Sequence, residues 1–179
     1  MRVLVRDASK LEASVWQRVE VVEGDAESDE DLARAMAGAK VAWFLMHSMG
    51  GDGDFAKTER SIAEAFAKAA AGSGVERIVY LGGLHPGEED LSEHLASRVA
   101  VGEVLMGSGV PTAAIHAGVV MGAGSASFDM LRTLTERLPA AGGPAWLRNQ
   151  IQPIDAADAR ERWRMMSGST GTLHTGHFL

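Results

Sequence analysis

The sequence predicts an α/β fold in which helices pack on both faces of a parallel β-sheet. Short apolar and β-branched runs alternate along the chain with longer segments whose apolar residues recur at helical spacing. The run Val41–Met46 is unbroken apolar sequence, which is typical of a strand buried on both faces of a parallel sheet. Because strands and helices alternate, we expect right-handed crossover connections between parallel strands.

Three strands and two helices are predicted in the first half of the chain. The strands lie within residues 1–7, 19–23 and 41–46. The first helix begins after Ser28, whose hydroxyl suits an N-cap, and residues 29–31 give it an acidic first turn. The second helix has Asp54 as its N-cap and ends at Gly72 and Gly74.

The second half of the chain continues the same alternation. Strands are predicted over residues 77–81 and 111–120, and helices over residues 92–106, 128–138 and from 155 onward. Ser92 suits the N-cap of the first of these helices, and Gly107 its end. Residues 139–146 are rich in Gly, Ala and Pro, which predicts a surface connection.

The composition favours one domain that does not bind nucleic acid. The chain has 179 residues, of which 46% are hydrophobic, and this is enough for one core. Its formal net charge of -7, from 17 basic and 24 acidic side chains, argues against a nucleic-acid surface, which needs clustered Lys and Arg. The absence of Cys excludes disulfides, thiolate metal sites and a cysteine nucleophile.

Membrane and export signals are not found in the sequence. Met1 is followed by an apolar run too short for the core of a signal peptide. No apolar stretch approaches the roughly 20 residues that cross a bilayer. We therefore expect a cytoplasmic protein without a membrane partner, whose oligomeric state the sequence leaves open.

Ligands of parallel α/β sheets bind beyond the carboxyl ends of the strands. The loops that follow these ends comprise residues 6–7, 24–25, 47–53, 82–85 and 117–127. Candidate binding residues are therefore sought in these loops and at the start of each following helix.

The order and spacing of these segments resemble those of the NmrA-like group of atypical short-chain dehydrogenases/reductases. The resemblance is carried by residues 2–7, 9–11, 21–25, 44–50, 78–84 and 152–154. It implies a Rossmann-like, doubly wound parallel sheet that binds NADP or NAD, formed by residues 1–158. Residues 159–179 are left as an unassigned helix or tail.

On this register, Met1 falls at the second strand of the family. We therefore expect the domain to be truncated at its N-terminus, without the family's first strand, glycine-rich turn and first helix. That turn is where backbone N–H groups hold the cofactor pyrophosphate. The strand in question would lie between the strands that begin at Arg2 and Val41.

The resemblance implies that several residues contact the cofactor. Arg6 takes the position of a basic residue that meets the adenosine 2′-phosphate, although a solvated Arg at a strand end is an equal alternative. Asp25 takes the position of an acid at the edge of the adenine, and a turn-forming Gly-Asp pair is the alternative. His47 and Ser48 end a strand that points at the nicotinamide ribose in relatives, or else His47 satisfies a loop carbonyl.

The catalytic residues of the superfamily are not matched by residue type. Gly82 and Gly83 fall where many relatives place a catalytic Ser, and we assign both to the cofactor site. His94 and Arg98 have the spacing of the usual Tyr and Lys pair on one helix face. His94 is the candidate general acid, with an exposed helix histidine as the alternative, and Arg98 is a candidate ribose or phosphate contact.

A second glycine motif is an alternative phosphate loop. Residues 51–56 match Gly-x-Gly-x-x-Ala between a predicted strand and a helix, but their two Asp side chains would repel pyrophosphate. No metal site is expected, because His174 and His177 have no nearby carboxylate.

Three functions follow from these residues. The first is an NADPH-dependent oxidoreductase acting on a small carbonyl or alkene whose identity the sequence leaves open. The second is a non-catalytic NAD(P)-sensing regulatory protein, favoured by the absence of the Tyr and Lys pair. The third is an inactive fragment of such a protein.

Overall fold

The computed structural model describes residues 1–11, 19–46, 55–84, 91–122, 126–137 and 153–168. The strands are β1 (Arg2–Val5), β2 (Glu20–Glu23), β3 (Val41–Phe44), β4 (Arg77–Gly83), β5 (Thr112–Ala117), β6 (Val119–Met121) and β7 (Pro153–Asp155). The helices are α1 (Asp29–Met36), α2 (Phe55–Gly72), α3 (Glu93–Met106), α4 (Ala126–Arg137) and α5 (Ala156–Gly168). The α/β alternation that the sequence predicts is therefore confirmed.

All strand pairs of the described residues are parallel, but they form three separate sheets. The sheets have the orders β1-β2, β3-β4-β5 and β6-β7. In the central sheet, Phe44 of β3 pairs with Tyr80 of β4, which pairs in turn with Ala114 of β5. Parallel pairing brings the carboxyl ends of β3, β4 and β5 to one edge of this sheet.

The two-stranded sheet β1-β2 is separate from the central sheet, because β1 and β3 are not paired with each other. The two parts are joined through their helices instead, since α1 packs against α2. Leu32 and Met36 of α1 belong to the same buried cluster as Ile62 and Phe66 of α2. The division lies at the place where the family resemblance puts a further strand.

Helix ends follow the local chemistry that the sequence predicts. The Ser28 hydroxyl accepts the Asp31 N–H at the start of α1, and the Ser92 hydroxyl accepts the Leu95 N–H at the start of α3, both at 3.3 Å. Gly74, just after α2, has a φ of 72°, which favours glycine. Asp54 lies outside the described residues.

The main core fills the space between the central sheet and the helices α2 and α3. Phe44 and Phe66 pack edge to face, with ring centroids 5.0 Å apart. Ile78, Tyr80 and Leu105 are almost fully buried in this layer. The opposite face of β4 is contacted by α5, where the Arg77 guanidinium donates to the Met166 carbonyl at 2.8 Å.

The predicted domain limit at residue 158 falls within α5, which runs from Ala156 to Gly168. The Asp155 carboxylate accepts the Ala157 N–H at 2.7 Å, so that Asp155 starts this helix as expected. Because α5 packs on the strands before it, the helix continues the fold across that limit.

Two predicted strand limits are wrong. The strand expected over residues 77–81 continues through Gly82 and Gly83, which pair with His116 and Ala117 of β5. The strand expected over residues 111–120 is interrupted at Gly118, and its second part forms β6, which pairs with β7 instead of β4. Local apolar patterning does not show where a strand leaves one partner for another.

The helices of the described residues are all too short or too polar to cross a bilayer.

Candidate functional site

The carboxyl ends of β1 and β2 bring Arg6 and Asp25 together. Arg6 Nε lies 3.3 Å from Asp25 Oδ2. Parallel pairing of Val5 with Glu23 brings Arg6 and the Gly24-Asp25 turn to the same edge of the sheet, and Gly24 N–H donates to the Val5 carbonyl at 2.9 Å. The two residues that the resemblance assigns to the adenosine end of the cofactor are thus neighbours in space.

The turn that carries Asp25 is held by Asp31 in the first turn of α1. The Asp25 N–H donates to Asp31 Oδ2 at 2.9 Å, and Asp31 Oδ1 lies 2.7 Å from Arg34 Nη2. A Cβ atom on Gly24 would lie 2.6 Å from Asp31 Cγ. Gly24 is therefore required so that the Asp31 side chain can reach over the turn.

Arg6 keeps two donor groups for a ligand. Its contact with Asp25 uses Nε, and no other polar partner of Arg6 is found in the part of the chain that the structure describes. The side chain is 68% exposed, and its Nη groups have no partner among the described residues. The neighbouring Asp7 carboxylate turns away and accepts the Ser9 hydroxyl and N–H, and this hydroxyl lowers the pKa of the Asp7 carboxyl.

Gly82 and Gly83 are explained by packing inside the protein. A Cβ on Gly82 would lie 3.0 Å from His116 Nδ1, and a Cβ on Gly83 would lie 3.0 Å from Leu95 Cδ1. Their role in cofactor binding stays a prediction. A Cβ at either position would be in tight contact with a neighbouring side chain, which would have to shift by a few tenths of an ångström. The absence of a side chain at Gly83 lets α3 approach the end of β4 closely.

Arg98 is directed at the end of β4. Its Nη2 donates to the Leu81 carbonyl at 2.9 Å. Its Nε lies 3.8 Å from the position of a Cβ on Gly83, and it is buried without a hydrogen-bond partner among the described residues. A buried donor without a partner is costly.

Tyr80 lies behind Arg98, in the core. Its hydroxyl donates to the Arg98 carbonyl at 2.8 Å. Burial raises the pKa of the Tyr80 phenol to about 12, and the nearby Arg98 charge opposes this only in part. Its ring also packs on Gly102 of α3.

His94 lies on α3 one turn before Arg98 but does not join it. Its side chain is exposed, and its ring centroid is 6.0 Å from that of Phe55 at the start of α2. The predicted pair is thus divided, with Arg98 against the sheet and His94 beside a neighbouring helix. Its catalytic role stays a prediction.

Several predicted residues lie outside the described part of the chain. They are His47, Ser48 and the first four residues of the alternative glycine motif at positions 51–56.

Two polar features of the site region were not predicted from the sequence. The sequence shows Asp31 only as part of an acidic first helical turn, although its side chain also holds the turn at Asp25. Glu59 and Ser97 form a buried pair between α2 and α3, with their oxygens 2.6 Å apart. Glu59 could have been found from its place on the apolar face of α2, three residues before Ile62.

Comparison with known families gives one match. The profile of a family described as NAD(P)H-binding matches residues 1–109, which is more than half of the chain. A comparison with curated proteins finds no match. The expected cofactor, NADP or NAD, is confirmed by the description of this family.

Solved structures show the same fold. Triphenylmethane reductase of Citrobacter sp., in complex with NADP(H), is 25% identical over 75% of this chain, with a TM-score of 0.56. WbmG of Bordetella bronchiseptica, in complex with NAD and UDP, is 17% identical over 99% of this chain, with a TM-score of 0.70. A nucleoside-diphosphate-sugar epimerase of Staphylococcus aureus is 19% identical over 75% of this chain, with a TM-score of 0.61.

The chain spans part of the length of these proteins. It covers 45% of the reductase, 45% of the epimerase and 63% of WbmG. At these identities, the epimerase and WbmG establish the Rossmann-type fold alone.

Proposed function

The chain belongs to the NAD(P)H-binding family, and from this we propose that it is an NADPH-dependent oxidoreductase of the NmrA-like, atypical short-chain dehydrogenase/reductase type. The observation that carries the proposal is the meeting of Arg6 and Asp25 at the carboxyl ends of β1 and β2. This is the edge of a parallel sheet at which nucleotides bind.

The donors at this edge fit a dinucleotide phosphate. Arg6 offers an exposed guanidinium with both Nη groups available, which suits bidentate contact with the 2′-phosphate of NADP. Arg98 places a second positive charge at the end of β4, where its Nη2 donates to the Leu81 carbonyl, and it is the candidate contact for a ribose or phosphate oxygen. The two guanidinium groups would hold the cofactor at opposite ends of the site.

In this proposal the bound cofactor supplies or accepts a hydride. His94 would supply the proton, because it is an exposed ionisable side chain in the first turn of α3. Arg98 holds the cofactor, while its contact with the Leu81 carbonyl fixes the orientation of its guanidinium. The substrate is a small carbonyl or alkene.

A second function is favoured by Tyr80. It is the single tyrosine of the chain, and it is buried with its hydroxyl bonded to the Arg98 carbonyl, so it cannot donate a proton to a substrate. This favours a protein that binds NAD(P) and senses its redox state without catalysis.

Binding of the two cofactors tests the proposed site. We expect the full chain to bind NADP⁺ more tightly than NAD⁺ in isothermal titration calorimetry, and Arg6→Ala to weaken NADP⁺ about tenfold or more while leaving NAD⁺ nearly unchanged. A charge-assisted bidentate contact of about 1.5 to 3 kcal/mol accounts for this loss. If Arg6→Ala weakens both cofactors equally, the assignment of the 2′-phosphate to Arg6 is wrong.

Turnover then separates the two functions. An oxidoreductase oxidises NADPH with at least one member of a carbonyl and alkene panel, and His94→Ala lowers that rate without changing NADP⁺ affinity. A sensor binds both redox forms with different affinities and shows no turnover.

A further inference from the structure

We propose that Asp25 is a positioning residue that favours NADP over NAD, because it holds the guanidinium of Arg6 in the orientation that receives the 2′-phosphate. This inference rests on the proposed function and adds a determinant of cofactor choice. It gives Asp25 a role that acts through Arg6, in addition to a contact with the adenine.

Both oxygens of the Asp25 carboxylate have a partner. Oδ2 lies 3.3 Å from Arg6 Nε, and Oδ1 accepts the Glu27 N–H at 3.0 Å. The contact with Arg6 therefore uses the inner nitrogen of the guanidinium. Its outer edge, formed by Nη1 and Nη2, is the edge that binds a phosphate in the bidentate manner.

The backbone of Asp25 is fixed as well. Its N–H donates to Asp31 Oδ2, and Asp31 is held in turn by Arg34, whose guanidinium also donates to the Glu23 carbonyl at 2.7 Å. The Asp31 side chain is only 22% exposed. The position of the Asp25 carboxylate is thus determined by α1 and by the end of β2.

The charge of Asp25 makes its effect depend on Arg6. With Arg6 present, the two charges offset each other, and the carboxylate orients the guanidinium. Without Arg6, an unpaired carboxylate would stand beside the 2′-phosphate and repel it. Removal of the Asp25 charge should therefore weaken phosphate binding when Arg6 is present and strengthen it when Arg6 is absent.

The probes are 2′,5′-ADP and 5′-AMP, which differ only by the 2′-phosphate. Calorimetric titration uses the full chain, Asp25→Asn, Arg6→Ala and the double variant. Asn keeps an oxygen for the Glu27 N–H but loses the charge. We expect Asp25→Asn to weaken the binding of 2′,5′-ADP about two- to fivefold, which is the range of an exposed ion pair, and to leave the binding of 5′-AMP unchanged.

In the Arg6→Ala background, the same substitution should strengthen 2′,5′-ADP binding. This reversal of sign is the result that a purely structural role of Asp25 would not produce, since a distorted turn would weaken both probes in both backgrounds.

Asp29→Asn is the matched control. Like Asp25→Asn, it removes one negative charge. Asp29 lies in the first turn of α1, however, and pairs with Lys68 and not with Arg6. We expect it to leave 2′,5′-ADP binding unchanged or slightly stronger. If Asp25→Asn changes 2′,5′-ADP binding in the same way as Asp29→Asn, Asp25 acts only through the long-range effect of its charge and the inference is wrong.

The outcomes separate the inference from the proposed function. If the unmodified chain binds neither the probes nor NADP⁺, both are wrong. If it prefers 2′,5′-ADP, and Arg6→Ala removes that preference while Asp25→Asn does not change it, the proposed function stands and only the inference is wrong. The inference is also wrong if Asp25→Asn weakens the binding of both probes equally.

Discussion

Tyr80 shows how one buried side chain limits the chemistry of this protein. It is 1% exposed, its hydroxyl is bonded to the Arg98 carbonyl, and its ring contacts Phe44 and Gly102. The phenol therefore supports the helix that carries Arg98, and it has no access to a substrate. Of the two proposed functions, catalysis consequently depends on His94.

The ionisation of Tyr80 can be measured directly, because it is the single tyrosine. We expect the absorbance at 295 nm to rise with a midpoint near pH 12 in the folded chain, because burial raises the pKa of this phenol to about 12. In denaturant the midpoint should fall to about 10, the value of a free tyrosine. A folded-state midpoint near 10 would contradict the burial of Tyr80.

The same pKa shift makes stability depend on pH. The folded-state pKa lies above the unfolded value, so this contribution is complete below pH 10 and is lost as the pH rises from about 10 to about 12. The loss amounts to about 2 to 3 kcal/mol at most. Tyr80→Phe should show a smaller decline in free energy of unfolding over that range in urea titrations.

At the scale of elements, the turn between β2 and α1 connects the fold to the site. Ser28 caps the helix, while Asp31 reaches back over Gly24 to the Asp25 N–H. The first turn of the helix therefore also determines where the Asp25 carboxylate lies. The equivalent element on the other side is α3, which places Arg98 at the end of β4.

Gly24→Ala tests this turn. The new Cβ would lie 2.6 Å from Asp31 Cγ and 2.8 Å from Asp31 Cβ, so the whole Asp31 side chain must move and lose its bond to the Asp25 N–H. We expect the free energy of unfolding to fall by about 1 to 2 kcal/mol in urea titrations. Addition of Asp31→Ala removes the clashes with Asp31 Cγ and Oδ2 and leaves only the one with Cβ, so the double variant should lose less than the sum of the single losses. Strictly additive losses would show that the two residues do not interact.

At the scale of the whole molecule, the division of the sheet separates two regions of different packing. The central sheet β3-β4-β5 is covered by α2 and α3, and Ile78 and Val79 are almost fully buried. The sheet β1-β2 has two short strands, and Val21 is 37% exposed. Arg6 and Asp25 extend from this smaller sheet, whereas Arg98 lies against the central one.

Hydrogen exchange should reveal this difference. Isolated two-stranded sheets are marginally stable in water, so we expect the amides of β1 and β2 to exchange through local opening well before those of β4. Mass spectrometry of peptides from the two regions measures the rates. Equal protection of β2 and β4 would show that the molecule opens only as one unit.

The sequence by itself determined the order of most elements and the caps of α1 and α3, because apolar spacing and capping are properties of neighbouring residues. It also placed Arg6, Asp25, Gly82 and Gly83 at or near strand ends, and Arg98 on the helix after the fourth predicted strand. These predictions required no knowledge of which strands pair.

Only the tertiary structure decided what these residues contact. The pairing of Arg6 with Asp25, the separation of His94 from Arg98 and the change of sheet at Gly118 all depend on how elements distant in the sequence pack together. Side-chain packing and strand pairing between such elements leave no local pattern, which is why the sequence identified the participants and the fold determined their partners.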